Sequence, residues 1–137
     1  MARSFLFDLD PPPSAKLLGW RLLDVEPEAG RIRVAFEGTE DFLNPAGFIQ
    51  GGMLSAMLDD TISATVAART DGRLFSTTID MNVSFIAPAR PGALVAEGRI
   101  VRLGKTIAFL EGELRDADDV LLARATASAR LIEGVFD

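Results

Sequence analysis

The sequence predicts an α+β fold in which an antiparallel β-sheet wraps around one long central α-helix. Three observations carry this. The stretch 51–69 is apolar on nearly every side, as a buried helix is. Segments of alternating apolar and polar residues stand on both sides of it. The segments after it are joined by connections so short that successive strands must run antiparallel. One sheet curled around one helix is the simplest way to bury that helix.

The elements follow in order. Pro11 to Pro13 allow a short helix at 14–18, with Ser14 as its cap. "WRLLDVEPE" and "RIRVAFEG" read as two strands joined around 28–30. In the second, Ile32, Val34 and Phe36 alternate with Arg31, Arg33, Ala35 and Glu37, so one face is buried. Residues 41–48 form a loop, broken by Asn44-Pro45 and Gly47. The helix at 51–69 is rich in Met, Leu and Ala, yet it carries a polar line. Ser55, Asp59 and Ser63 are spaced i, i+4, i+8 and share one face.

After the helix, "TTIDMNVSF" alternates, with Ile79, Met81, Val83 and Phe85 on one face and Thr78, Asp80, Asn82 and Ser84 on the other. "APARPG" interrupts the chain. Strands at 94–103 and 106–115 then flank a turn at Gly104-Lys105, and "DADD" makes the next turn. The last strand sets Ala123, Ala125, Ala127, Ala129 and Leu131 on one face, a row small enough for a helix to approach closely. No linker, repeat or low-complexity tract divides the chain, which is expected to be one domain over 1–137.

Composition removes several function classes. With a formal net charge of −6, the chain lacks the basic surface that broad nucleic-acid binding requires. There is no Cys, so cysteine nucleophiles, thiolate metal sites and disulfides are out. There is no His, which removes Ser-His-Asp triads and the usual zinc constellations; no metal site is expected. Tyr is missing too, so acid–base chemistry falls to Asp or Glu. Asp8 and Asp10 interrupt the apolar start, and Asp59 and Asp60 interrupt the longest apolar run. The expectation is a cytoplasmic protein without membrane partners.

The segment "NPAGFIQGGMLSAMLDD", residues 44–60, then "STTIDMNVSFIAPARPG" and "VRLGKTIAF", resembles the hotdog-fold acyl-CoA thioesterases, in particular the PaaI-type (phenylacetate-pathway) branch. The likeness runs from about Trp20 to Leu131. That branch carries a pattern like N-x-x-G-x-x-H-G-G followed by an acidic residue on the helix. The resemblance implies that Asn44 is the loop Asn, that Gly51 and Gly52 open the helix, and that Asp59 is the catalytic carboxylate. It also implies that Thr78 helps hold the attacking water. Gln50 departs from the pattern, since His is common there. A Gln amide donates a hydrogen bond but does not titrate near neutral pH.

Thioester hydrolysis needs donors for a developing oxyanion, a nucleophile or base, and something that orients water. A helix N-terminus opened by Gly51-Gly52 offers unpaired N–H groups to a carbonyl. Asp59 can attack that carbonyl or act as general base on water. Eight residues separate Gly51 from Asp59, roughly 12 Å along a helix. One chain therefore cannot bring both to one carbonyl, and a homodimer at least is expected. Hotdog relatives often pair dimers, which implies a homotetramer. Coenzyme A enters only as part of the substrate, with no other cofactor implied.

Each residue also has an ordinary reading. Asp59 and Asp60 could be a solvated helix face, and for Asp60 a surface or interface position is the expectation. Asn44-Pro45 is a common turn pair, and Thr is common in strands such as that of Thr78. "GKT" at 104–106 is not a phosphate-binding loop, because Gly98 stands one place off the required spacing and β patterning follows. Gly104-Lys105 is instead a hairpin turn, and Lys105 and Thr106, together with Arg90, can meet the phosphates of coenzyme A. The ordinary reading of Lys105 and Arg90, which stands ahead, is a solvated surface. Trp20 and the Phe residues belong to the core or to an acyl pocket. The rival function is a hotdog protein that binds acyl-CoA without turning it over. Hydratase chemistry on this fold relies on a His and is excluded.

Overall fold

The computed structural model describes residues 3–137. Helix α1 spans Pro13–Leu17 and helix α2 spans Gly51–Arg69. The strands are β1 (Arg21–Glu26), β2 (Arg31–Gly38), β3 (Leu74–Phe85), β4 (Gly92–Leu103), β5 (Ile107–Asp116) and β6 (Leu121–Glu133). They form one six-stranded sheet in the order β1-β2-β4-β5-β6-β3, antiparallel throughout. The chain leaves β2, runs through α2 to the far edge, lays down β3, and returns to place β4 beside β2. That crossover carries the helix over one face of the sheet and leaves β1 and β3 as the edges. The expected α+β architecture is the one observed.

The core lies between α2 and the sheet. Met57, Leu58, Ile62 and Val66 are fully buried against inward-facing residues such as Val34, Leu94 and Leu114. The alanine row of β6 is buried as expected, but the closest approach of helix to sheet is elsewhere. Gly98 of β4 and Gly112 of β5 are directly opposed in register. A Cβ at Gly98 would lie 2.3 Å from Thr65 Oγ1 and 3.1 Å from the Thr61 carbonyl oxygen, and one at Gly112 would lie 3.1 Å from Ile62 Cγ1. Glycine is what lets the helix lie this close to the sheet. Thr61 and Thr65 are buried polar residues on that helix face. Their hydroxyls donate to the carbonyls of Met57 (2.8 Å) and Thr61 (2.9 Å), so no hydroxyl proton is left unpaired.

Strand β3 departs from simple alternation. Its register with β6 shifts between Thr78 and Asp80, which leaves Ile79 without a partner. Thr78 pairs with Ala129, Met81 with Ala127 and Val83 with Ala125, all on the helix side of the sheet, while Ile79 is 59% exposed. The bulge thus corrects the expected faces: Thr78 shares a face with Met81 and Val83, and Ile79 does not.

Two boundaries also differ. Pro13 opens α1 with Pro12 at the cap position, so Ser14 lies inside the first turn, where its carbonyl accepts from the Leu18 N–H. Thr106 precedes β5, and its carbonyl accepts from the Leu131 N–H at 2.8 Å. Among the described residues, no helix is long and apolar enough to cross a membrane.

Candidate active site

The loop before α2 is fixed by its own hydrogen bonds. Asn44 Oδ1 accepts from the N–H groups of Ala46 (2.9 Å) and Phe48 (3.1 Å), and the Asn44 N–H donates to the Phe48 carbonyl at 2.7 Å. The Ile49 N–H donates to the Ala89 carbonyl and the Gln50 N–H to the Phe42 carbonyl, both at 2.8 Å. Gln50 then enters the helix from an extended backbone, its carbonyl accepting from Met53 and Leu54. Its side chain makes no capping bond. The Gly51 and Gly52 N–H groups are therefore without partners among the described residues, at the positive end of a 19-residue helix. A Cβ on Gly51 would meet the Phe85 ring at 3.1 Å, whereas one on Gly52 would meet nothing within 4 Å. Gly51 has a packing reason; Gly52 has none inside the chain.

The carboxylate sits two turns further on. Asp59 is half-buried, and the Thr78 hydroxyl donates to its Oδ1 at 2.6 Å. A short O–H···O⁻ bond of this kind is charge-assisted and fixes the carboxylate's rotamer. One turn later the Ser76 hydroxyl donates to the Ser63 carbonyl at 3.2 Å. The polar line of α2 therefore lies along edge strand β3. Only the bulge after Thr78 lets that residue and Met81 both face the helix.

Asp60, expected at a surface or interface position, is partly enclosed in the single chain. One of its carboxylate oxygens, Oδ2, is enclosed and has no hydrogen-bond partner. Burial first, and the charge of Asp59 second, push its pKa up from 3.8 to about 6.

Asn44 and Gly51 meet in one pocket of about 450 Å³, walled by Phe48, Phe85 and Ile86. The Arg90 guanidinium stacks over the Phe48 ring, 5.2 Å from its centre. Trp20 packs on the core at the start of β1 and takes no part in this pocket. Lys105 and Thr106 are exposed in the β4–β5 turn. Arg90 precedes β4 and Lys105 follows it, so the length of a 12-residue strand, roughly 40 Å, separates them. The chain thus assembles two groups and keeps them apart. Asn44, Gly51 and Arg90 are at one end, and Asp59 with Thr78 lies along the helix. A further concavity of about 650 Å³ is on the opposite face of the sheet among cross-strand charges such as the Arg99–Glu111 pair, with β5 and β6 between it and α2.

The thioesterase superfamily model matches residues 46–123, which hold the helix start, Asp59, Thr78 and the turn at 104–106. The chain belongs to the thioesterase superfamily. A Ralstonia eutropha protein, provisionally described as a thioesterase related to phenylacetic acid degradation, superposes with a TM-score of 0.85 at 37% identity. The match covers 93% of this chain and 97% of that one. A provisionally named esterase of Saccharolobus solfataricus is 30% identical over 112 residues, 80% of this chain and 79% of its own. Human acyl-coenzyme A thioesterase 13 is 30% identical over 86 residues, 62% of this chain and 61% of its own. The six-stranded sheet around one helix is the hotdog fold of this superfamily, and the thioesterase is an enzyme by family.

Some features of the thioesterase site were not singled out from the sequence. The Phe85 contact with Gly51 and the role of Ser76 beside Ser63 carry no motif. The glycine pair at 98 and 112 did carry one, because an isolated Gly in a strand pattern marks a close approach.

Proposed function

We propose that this thioesterase hydrolyses acyl-CoA thioesters to a free acid and coenzyme A, and that it belongs to the PaaI-type branch. The observation that carries the reading is the Thr78–Asp59 hydrogen bond, which holds a helix carboxylate in one rotamer within a family built for this chemistry. The substrate carbonyl oxygen lies against the Gly51 and Gly52 N–H groups, which have no other partner among the described residues and gain most when the oxygen becomes negative. Asp59 then either attacks the carbonyl carbon and expels the thiolate, leaving an anhydride for water to cleave, or takes the proton of the attacking water. With its proton committed to Asp59, the Thr78 hydroxyl offers lone pairs that accept a hydrogen bond from that water. Gln50 adds an amide donor and no proton transfer.

Two chains are needed. Gly51 and Asp59 of one helix are roughly 12 Å apart along its axis, beyond the reach of a carboxylate to a carbonyl held at the helix start. Edge strand β3 supplies the means, since its outer N–H and C=O groups are unpaired over 12 residues. Antiparallel pairing of two β3 strands builds a homodimer and sets the polar line of each helix beside the other chain. Gly52, open to space in one chain, is then where the second chain or the substrate comes close. Arg90 of one copy and Lys105 with Thr106 of another are the cations and hydroxyl for coenzyme A phosphates. Pairing of dimers into the homotetramer of hotdog relatives completes the expected assembly.

The human relative's name, acyl-coenzyme A thioesterase, supports coenzyme A as the carrier. The test is thiol release from a panel of aryl and fatty acyl-CoA thioesters by the parent protein and by Asp59→Asn. Hydrolysis above the blank that disappears in the variant supports the reading. Equal rates in the two proteins would sink the role of Asp59. Binding without any release would make the chain an acyl-CoA-binding relative whose Gln50 does not serve in place of His.

A further inference from the structure

We propose that Phe85 sets the size of the acyl group that the site accepts, an inference that rests on the thioesterase reading above. A thioester carbonyl held at the Gly51 N–H sends two arms away from it: the pantetheine arm, which carries amides, and the acyl arm, which is hydrocarbon. The pocket that opens beside Gly51 is walled by Phe48, Ile49, Leu54, Phe85 and Ile86, and Asn44 contributes its one polar side chain. Pantetheine amides in such a pocket would lose water and gain too few partners, whereas a hydrocarbon loses nothing by entering. The acyl arm therefore takes the pocket, and the pantetheine arm leaves it toward solvent. In one chain the pocket is about 450 Å³, a size within the range of small-ligand sites.

Phe85 is the wall that decides where the pocket ends. Its ring carbons Cε1 and Cζ lie 3.1 Å from where a Gly51 Cβ would stand, so it is the side chain pressed against the helix start. Its backbone does not give. Phe85 pairs with Ala123, and the next two N–H groups, of Ile86 and Ala87, both donate to the Leu122 carbonyl at 2.8 and 3.2 Å. In the single chain the ring is 55% exposed and stands outside the buried core, so changing its volume leaves that core intact. A side chain on a fixed backbone, beside the reacting carbonyl and outside the core, is where substitution alters selectivity rather than stability.

The experiment compares kcat/KM for butanoyl-CoA and dodecanoyl-CoA in the parent protein, Phe85→Ala and Phe85→Trp. Removing the ring should raise the dodecanoyl-to-butanoyl ratio by about tenfold or more, the scale on which an apolar pocket discriminates chain length. Enlarging the ring should lower the ratio. Ratios unchanged in both variants, or the two rates falling together, would overturn the proposal and make Phe85 a support for the helix start. If the parent protein hydrolyses neither ester nor any other in the panel, the thioesterase reading fails along with it. An Asp59-dependent parent activity with unchanged ratios fails this inference alone.

Discussion

The Thr78 hydroxyl donates to Asp59 Oδ1 at 2.6 Å, across the gap between an edge strand and the long helix α2. The bond depends on the bulge at Ile79, which puts Thr78 on the helix face in register with Ala129. It ties the geometry of the sheet edge to the orientation of the carboxylate.

Thr78→Val removes that donor while keeping the β-branched shape. A hydrogen bond to a charged group is worth about 1.5–3 kcal/mol, so kcat should fall by about tenfold to a hundredfold. KM should change little, and Thr78→Ser should recover most of the rate. Steady-state kinetics on one acyl-CoA decide it: a Val variant as fast as the parent would show that the bond does not serve the reaction.

Asp60 makes stability depend on pH with a definite sign. Its folded pKa of about 6 lies above the ordinary 3.8, so the folded chain holds this proton more tightly than the unfolded chain does. Stability from this group is greatest below about pH 4, falls as pH rises toward 6, and stays low above it. The loss amounts to about 3 kcal/mol at most, counting about 1.4 kcal/mol per pH unit. Asp60→Asn removes the buried charge, so its urea midpoint should exceed that of the parent at pH 8, with the margin shrinking toward pH 4. A margin that does not vary with pH would mean Asp60 is solvated in the folded chain.

Gly98→Ala tests the close approach of helix and sheet. The new methyl would meet Thr65 Oγ1 and the Thr61 carbonyl, and the second of these is backbone and cannot turn aside. Overpacking of this kind costs about 1–3 kcal/mol, which a denaturant titration reads directly. The same change at Gly52, where nothing lies within 4 Å, should leave the stability of the isolated fold near that of the parent.

Much of the fold was legible because the sequence states it locally. Helix α2 begins and ends where the Gly-Gly pair and the end of the apolar run put it. The alanine row of β6 and the alternation of Ile32, Val34 and Phe36 in β2 fix a buried face, although Ala35 on the opposite face of β2 is buried as well. The bulge in β3 was not legible. Thr78, Ile79 and Asp80 alternate in type without a break, and the shift is decided by pairing with Ala129 and Ser128 on a strand far along the chain. The state of Asp60 was hidden for a similar reason, since what covers a helix face is a tertiary fact. The separation of Arg90 from Lys105 could have been read, because a continuous strand pattern between them already sets a length. Residue types and spacing named the pieces of the site and already set Gly51 apart from Asp59 on one helix; the fold added the Thr78–Asp59 bond and the pocket beside Gly51.

That separation is the central claim, and mixed dimers test it most directly. Asp59→Asn disables the carboxylate. Gly51→Pro removes an oxyanion donor at a first helical position whose backbone suits proline, after a Gln50 backbone already extended as a residue before proline must be. It requires the exposed Phe85 ring to move aside by a few tenths of an ångström. Each variant alone should lose about a hundredfold or more in kcat. Co-expressed in equal amounts, they should recover about a quarter of the parent rate, because half of the dimers are mixed and each mixed dimer rebuilds one intact site from two chains. A mixture no more active than either variant would contradict a site shared between chains.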